Sequence, residues 1–298
     1  MTRNRTFSID ILRPDFWEES WRRIRAGSFL KASQENHPER WAAFYDRVGD
    51  IYADMMPDHW DLGLALAEYF FREEIVRPGD RVLDVGCGSG CLSLPLARGG
   101  AKVTALDKSA GMLAALTETA QNHSAAGIET RCLAWQNFPA VRNYDLAVAA
   151  FFPPALDPEG LMRLETFSRR YCALVLGAGG GTPPIHRRIW EEFLAPCLQP
   201  GRVHVVQTLG YLLAVDRRPN LKHLFRPYTF RQPLDKVVNF YREYLALFGL
   251  GGPGLAQEIE TVLAPFSRNG QVEAEGAWDV CLIWWARPGE ADGKAERS

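Results

Sequence analysis

A chain of 298 residues suits one large α/β domain with additions, or two small domains. Its 47% hydrophobic content supports a sizeable core, and a net charge of −2 gives no global attraction to nucleic acid. No uninterrupted apolar stretch is long enough to span a bilayer. The start, Met-Thr-Arg-Asn-Arg-Thr-Phe, lacks the apolar core of a signal peptide. The expectation is a cytoplasmic protein with no membrane partner.

In chain order, an Arg-rich start leads into a short amphipathic helix around Asp15 to Ile24, with Phe16, Trp17, Trp21 and Ile24 on its apolar side. A second helix starts near Pro38, a residue suited to a first turn, and carries Trp41, Phe44 and Tyr45. A third spans about Asp58 to Phe71. Arg77-Pro-Gly-Asp80 turns into the first strand. Apolar runs at 81–85, 102–106, 128–133, 144–150 and 171–176 alternate with helical segments, which argues for a parallel sheet covered on both faces. A glycine-rich loop at 177–184 precedes a helix from Ile185 to Leu198. Further on, we expect a helix or mixed segment at 203–215 and a strand at 221–230. Helices follow at Leu234 to Phe248 and Leu255 to Phe266, then a last strand at 278–286 and a disordered tail from Pro288. The organisation expected is an N-terminal helical cap (1–75), a core (76–200), a helical insertion with the last strands (201–287) and the tail (288–298).

Six cysteines stand at 87, 91, 132, 172, 197 and 281, without a Cys-x-x-Cys pair, so no metal or redox centre is expected. Cys87 and Cys91 read as small residues packed at a tight corner, and Cys132 and Cys172 as core.

The decisive stretch is Arg81-Val-Leu-Asp-Val-Gly-Cys-Gly-Ser-Gly90. Val82, Leu83 and Val85 form a buried strand, and Gly86, Gly88 and Gly90 follow at two-residue spacing before a helix. This is the nucleotide-binding corner of an open α/β sheet. Cys91 occupies the third position of the dinucleotide fingerprint, where Gly or Ala belongs, and no Gly-Lys-Ser/Thr is present for a P-loop. Asp84 before the turn suits a positively charged ligand and repels a pyrophosphate. Asp107 ends the next strand about 20 residues on, where a carboxylate can accept both ribose hydroxyls. Ser109 is the expected N-cap of the following helix.

These two motifs, Leu83 to Gly90 and Asp107, Ser109, Met112, Leu113, resemble those of the class I S-adenosylmethionine-dependent methyltransferases. The resemblance implies a Rossmann-like seven-stranded, mostly parallel sheet with helices on both faces, an antiparallel strand inserted beside the fifth, and S-adenosylmethionine as cofactor. It places Asp84, Gly86, Gly88 and Gly90 along the methionine end and sulfonium, Asp107 on the ribose, and Met112 beside adenine or ribose. Cys87, Lys108 and Ala150 complete the expected cofactor wall. The family's third motif is altered to Ala134-Trp135-Gln136-Asn137. There the Trp135 amide or indole and the side chain of Gln136 or Asn137 are candidates for adenine, while Trp135 reads equally as a core-edge aromatic. Tyr45-Asp46 resembles a pair that precedes the core in many small-molecule methyltransferases, so Tyr45 is expected at the methionine carboxylate or the acceptor.

Ligands of open sheets bind beyond the strand C-termini. Phe151-Phe152-Pro-Pro is therefore expected at the acceptor. With Phe152 in place of Asn it is not the Asn-Pro-Pro-Tyr signature for base or glutamine amides. His186 is the best-placed histidine, though an ordinary helix start reads as well, and no catalytic base is assigned. Between Arg202 and Lys236, seven basic residues face two acids, a solvated face or a surface for an anionic acceptor or RNA. The expected function is methyl transfer to oxygen, nitrogen or carbon of a small-molecule acceptor. The alternatives are an RNA or protein methyltransferase, or a non-catalytic cofactor-binding protein. Homodimer formation is left open.

Overall fold

A computed structural model describes residues 10–56, 59–123, 125–179, 183–194 and 202–288. Four helices precede the sheet: α1 (Pro14–Ala26), α2 (Phe29–Asn36), α3 (Pro38–Met55) and α4 (His59–Arg72). The alternating core is β1 (Arg81–Val85), α5 (Ser93–Arg98), β2 (Lys102–Asp107), α6 (Ala110–Asn122), β3 (Ile128–Cys132), β4 (Tyr144–Ala150), α7 (Pro158–Phe167) and β5 (Ser168–Gly177). There follow α8 (Pro184–Phe193), α9 (Arg202–Ala214), β6 (Asn220–Pro233), α10 (Leu234–Ala246), α11 (Leu255–Leu263), β7 (Ser267–Arg268) and β8 (Gln271–Ala286).

The main path through the sheet is β3-β2-β1-β4-β5-β8-β6. The first five strands run parallel, and β8 is antiparallel to both β5 and β6. Strand order reverses between β1 and β4, and a ligand crevice opens at such a switch point. The fold class is as expected. The sheet has an eighth strand because two-residue β7 pairs with the start of β8. Strands β1 and β4 are buried along almost their whole length, which explains their unbroken apolar sequence.

Several expectations are corrected. Helix α2 was not anticipated: its sequence is short and polar, and Ser28 caps it by accepting from the Lys31 amide at 3.3 Å. Strand β8 begins seven residues before 278, because β6 pairs with it from Gln271 to Trp284. That extension contains Gly276, over which the Tyr228 ring lies so closely that a Cβ would stand 2.4 Å from its hydroxyl. Cross-strand packing there overrides weak intrinsic propensity. Cys132 is exposed rather than core, since β3 is an edge strand, while Cys172 is buried. Of the helix or mixed segment expected at 203–215, the helical reading holds, ending at Ala214. Cys197, the end of the 185–198 helix and the tail beyond Pro288 lie outside the described residues.

The long β6–β8 ribbon carries a second core of α3, α8, α10 and α11 beyond the sheet, built on Trp41, Phe44, Trp190, Phe240 and Tyr244. This brings α3 back over the end of β2. There a Cβ on Gly49 would stand 2.5 Å from the Gly111 carbonyl carbon, and one on Gly111 would stand 2.3 Å from the Asp46 carbonyl oxygen. Two glycines thus allow α3 to ride directly on the first turn of α6. The arrangement roofs the crevice with α2, α3 and α4.

Candidate active site

The crevice is a cavity of about 560 Å³, within the ~300–1,000 Å³ typical of small-molecule sites. Its floor is the glycine turn after β1. The Gly86 and Cys87 amides donate to the Leu106 carbonyl at 2.8 and 3.1 Å, holding the turn against β2. Gly86 has φ +70°, and a Cβ there would stand 2.2 Å from the Phe152 ring. Gly88 has φ +53° and nothing within 4 Å of a Cβ position, which leaves open space over its backbone.

Asp84 is 1% exposed and accepts from Ser93 Oγ at 2.6 Å through Oδ2. Its Oδ1 is buried and has no hydrogen-bond partner among the described residues. Burial, opposed by the Ser93 hydrogen bond, pushes its pKa up to about 6. A buried acceptor without a donor is costly, and an ammonium or sulfonium ligand would relieve that cost. Asp107 accepts from the Gly88 amide at 3.0 Å and the Ser109 amide at 2.9 Å. Burial raises its pKa against those two bonds. One donor on each oxygen leaves lone pairs for further donors, such as vicinal hydroxyls.

Tyr45 and Tyr52 stand seven residues apart on α3, hence on one face, with rings 6.0 Å apart, and both line the cavity. Burial raises both phenols, Tyr52 to about 12, so each remains a neutral donor. Cys91 donates through Sγ to the His59 carbonyl at 3.0 Å, and burial pushes its thiol up to about 12. Cys87 is likewise raised by burial, so neither cysteine is a thiolate.

The opposite wall is apolar. It comprises Ala150, Phe151, Phe152, Pro153 and Pro154 after β4, with Trp278 from β8. Phe151 holds φ +51°, a left-handed conformation unusual for a bulky residue, and its ring lies 5.8 Å from that of Trp278. Strain of this kind concentrates at functional sites. Trp135 meets Phe152 edge to face at 5.6 Å. It is 6% exposed, and the Arg163 guanidinium sits 5.5 Å over its ring. Its surroundings are those of a core-edge aromatic that also touches the cavity. Arg163, from α7, donates to the carbonyls of Trp135, Gln136 and Phe138 at 2.9, 2.7 and 3.0 Å. That single side chain holds the turn after β3.

Of the residues singled out by sequence, Tyr45, Asp84, Gly86, Cys87, Gly88, Asp107, Lys108, Ala134, Trp135, Gln136, Ala150, Phe151 and Phe152 line this one cavity. Three do not. Gly90 turns inward, where a Cβ would stand 2.9 Å from Leu116. Met112 is 2% exposed in the α3 core, because the Ser109 cap turns α6 so that this side chain faces inward. His186 packs among Trp190, Tyr241 and Tyr244, with its pKa pushed down by burial to about 4. Sequence reasoning missed Tyr52, Met56, His59, Trp278 and Arg163. Only Tyr52 carried a local signal, its i, i+7 relation to Tyr45. Three of the basic residues after Arg202 are engaged by acids. Arg217 is bound bidentately by Glu165, Arg231 pairs with Glu273 at 3.1 Å, and Lys236 pairs with Asp54 at 2.5 Å.

A family model described as a methyltransferase domain matches residues 82–166, the stretch from β1 into α7 that carries the glycine turn, Asp107 and the β4 loop. Residues 82–166 thus match a methyltransferase domain. Among curated relatives of this methyltransferase, ubiquinone biosynthesis O-methyltransferase of Rhodopseudomonas palustris is 27% identical over 183 residues, 54% of this chain and 69% of that one. Ribosomal protein L11 methyltransferase of Syntrophomonas wolfei is 31% identical over 108 residues, 33% of this chain and 34% of that one. Several matched relatives are thus spanned over little more than half their length or less, 54% for the Bradyrhizobium ubiquinone biosynthesis enzymes. Among solved structures, magnesium protoporphyrin IX methyltransferase from Synechocystis, solved with SAH bound, aligns with a TM-score of 0.46 at 16% identity, covering 85% of this chain and 94% of that one. Among the described residues no helix is long and apolar enough to cross a membrane, and no cluster of His, Cys, Asp or Glu has metal-site geometry.

Proposed function

We propose that this methyltransferase transfers the methyl group of S-adenosylmethionine to a small-molecule acceptor. The observation that carries the reading is one roofed cavity joining two different walls. On one side stand the glycine turn, Asp84 and Asp107. On the other stands the stiff apolar wall Phe151 to Pro154. The residues fit the cofactor. Asp84 Oδ1 is an orphaned buried acceptor suited to its positive end, Asp107 suits its ribose diol, and Tyr45 and Tyr52 offer neutral donors. When bound, the cofactor supplies an already activated methyl group.

The protein's own task is then alignment and exclusion of water. The roof of α2, α3 and α4 excludes solvent, and Phe151, Phe152 and Trp278 hold the acceptor against the turn. No side chain is assigned as a base. His186 is off the cavity, and burial raises the tyrosines and cysteines that line it, so none of these is the base; an acceptor atom already nucleophilic at working pH needs none. The pairing of Arg217, Arg231 and Lys236 with acids weakens the case for RNA as acceptor.

The test is methyl transfer from labelled cofactor to a panel of phenols, carboxylates and amines, beside total RNA and ribosomal protein. Label in small molecules supports the proposal, and label only in RNA or protein rejects it.

A further inference from the structure

At its mouth the cavity is lined from α1, α2 and the start of α3 by Arg25, Lys31, Gln34 and Glu35. The two cations there are in different states. Arg25 is fully engaged: its Nε lies 2.7 Å and its Nη2 2.5 Å from Glu35 Oε1, and its Nη1 lies 3.1 Å from Asp157 Oδ2. That pairing also occupies both carboxylates. Lys31 Nζ is 4.0 Å from Glu35, beyond hydrogen-bond distance, and it donates to no acceptor among the described residues. Yet its side chain is only 22% exposed. Burial, with the nearby Arg25 charge, lowers its pKa, and the Glu35 and Asp157 carboxylates only partly oppose this.

His204 of α9 lies behind it. Burial lowers the pKa of that imidazole, and Lys31 acts in the same direction. The same cavity is lined by the rings of Trp41, Tyr45, Trp135, Phe152 and Trp278. Rings suit a flat apolar body, and a largely buried ammonium with no hydrogen-bond partner among the described residues suits an oxyanion.

We infer that Lys31 is an anion-binding residue at the cavity mouth, and that the acceptor is a flat aromatic acid whose carboxylate it takes. The inference rests on the methyl-transfer reading for its biological meaning, not for its test. Gln34, beside Lys31 on the rim, adds an amide donor. The rings alone would also attract an organic cation, but Lys31 repels one.

The experiment is calorimetry on the full chain, with and without saturating S-adenosylhomocysteine. The probes are 2-naphthoate, its neutral carboxamide and 2-naphthylmethylamine. The expected result is naphthoate binding about tenfold tighter than the carboxamide, with the amine weakest. Lys31→Met should bring naphthoate and carboxamide together at an unchanged thermal midpoint, and Lys31→Arg should keep the preference. Equal binding of the three probes, no binding of naphthoate at millimolar concentration, tighter binding of the amine, or a preference surviving Lys31→Met would overturn the inference. Absence of heat with S-adenosylhomocysteine would instead defeat the methyl-transfer reading, while the naphthoate preference remained readable in the free protein.

Discussion

Asp46 of α3 accepts from Ser109 Oγ at 2.7 Å, and the same oxygen accepts from the Gly111 amide at 3.2 Å. Ser109 is itself the N-cap of α6, accepting from the Met112 amide at 3.1 Å. A carboxylate from the roof therefore binds the first turn of α6 two residues after Asp107. Asp46→Ala should lower stability by about 1–2 kcal/mol and weaken cofactor binding, because the turn carrying Asp107 and Lys108 is no longer held. Denaturant melts and calorimetry check both effects. Lost stability with unchanged cofactor affinity would show that Asp46 serves only to dock the roof.

Gly111→Ala drives a methyl group into the Asp46 backbone, where the space is 2.3 Å. The roof must then shift. The expected cost is about 1–3 kcal/mol, with faster proteolysis of the 10–72 region. An unperturbed melt and cleavage pattern would contradict the close crossing.

Asp84 gives a pH signature. Its pKa is raised to about 6 in the folded protein, from an ordinary carboxylate value. Between those values the unfolded chain carries the charge and the folded chain holds the proton. The unfolded state thus binds fewer protons, and stability of the ligand-free protein falls as pH rises through this window. A cationic ligand selects the ionised form, so cofactor affinity should rise from pH 5 to pH 7. Asp84→Asn should remove both slopes. Binding isotherms at several pH values read this, and a flat affinity in wild type would contradict it.

Arg163 binds three carbonyls of the turn after β3 and covers the Trp135 ring. Arg163→Met leaves those carbonyls without a donor, and cofactor affinity should fall about tenfold. Arg163→Lys, a point charge without the planar fork, should recover only part of it. Full recovery by Lys would mean that charge alone matters.

The division between what sequence reveals and what it conceals is physical. The glycine turn, Asp84 and Asp107 were legible because their chemistry is local: a strand end, a turn and an acid within a short span. Strands β1 and β4 were legible because both faces are buried and their sequence is uniformly apolar. Lys31 and Trp278 could not be read, since each reaches the cavity only through tertiary docking, one from a short polar helix and the other from a ribbon whose pairing overrides its composition. Arg163 looked like any helix cation, because its three acceptors are backbone carbonyls with no sequence signature. Gly90 and Met112 matched their motifs yet point into the core. A motif fixes backbone shape more firmly than it fixes which side chains meet the ligand.

The central claim is that the cavity between the glycine turn and the roof holds S-adenosylmethionine through Asp107. Calorimetric titration of the wild-type chain and of Asp107→Ala with the cofactor tests it most directly. Saturable binding to the wild type, weakened at least about tenfold in the variant at an unchanged fold, is the result expected. No heat and no thermal shift with the wild type, or equal affinity in the two proteins, would contradict it.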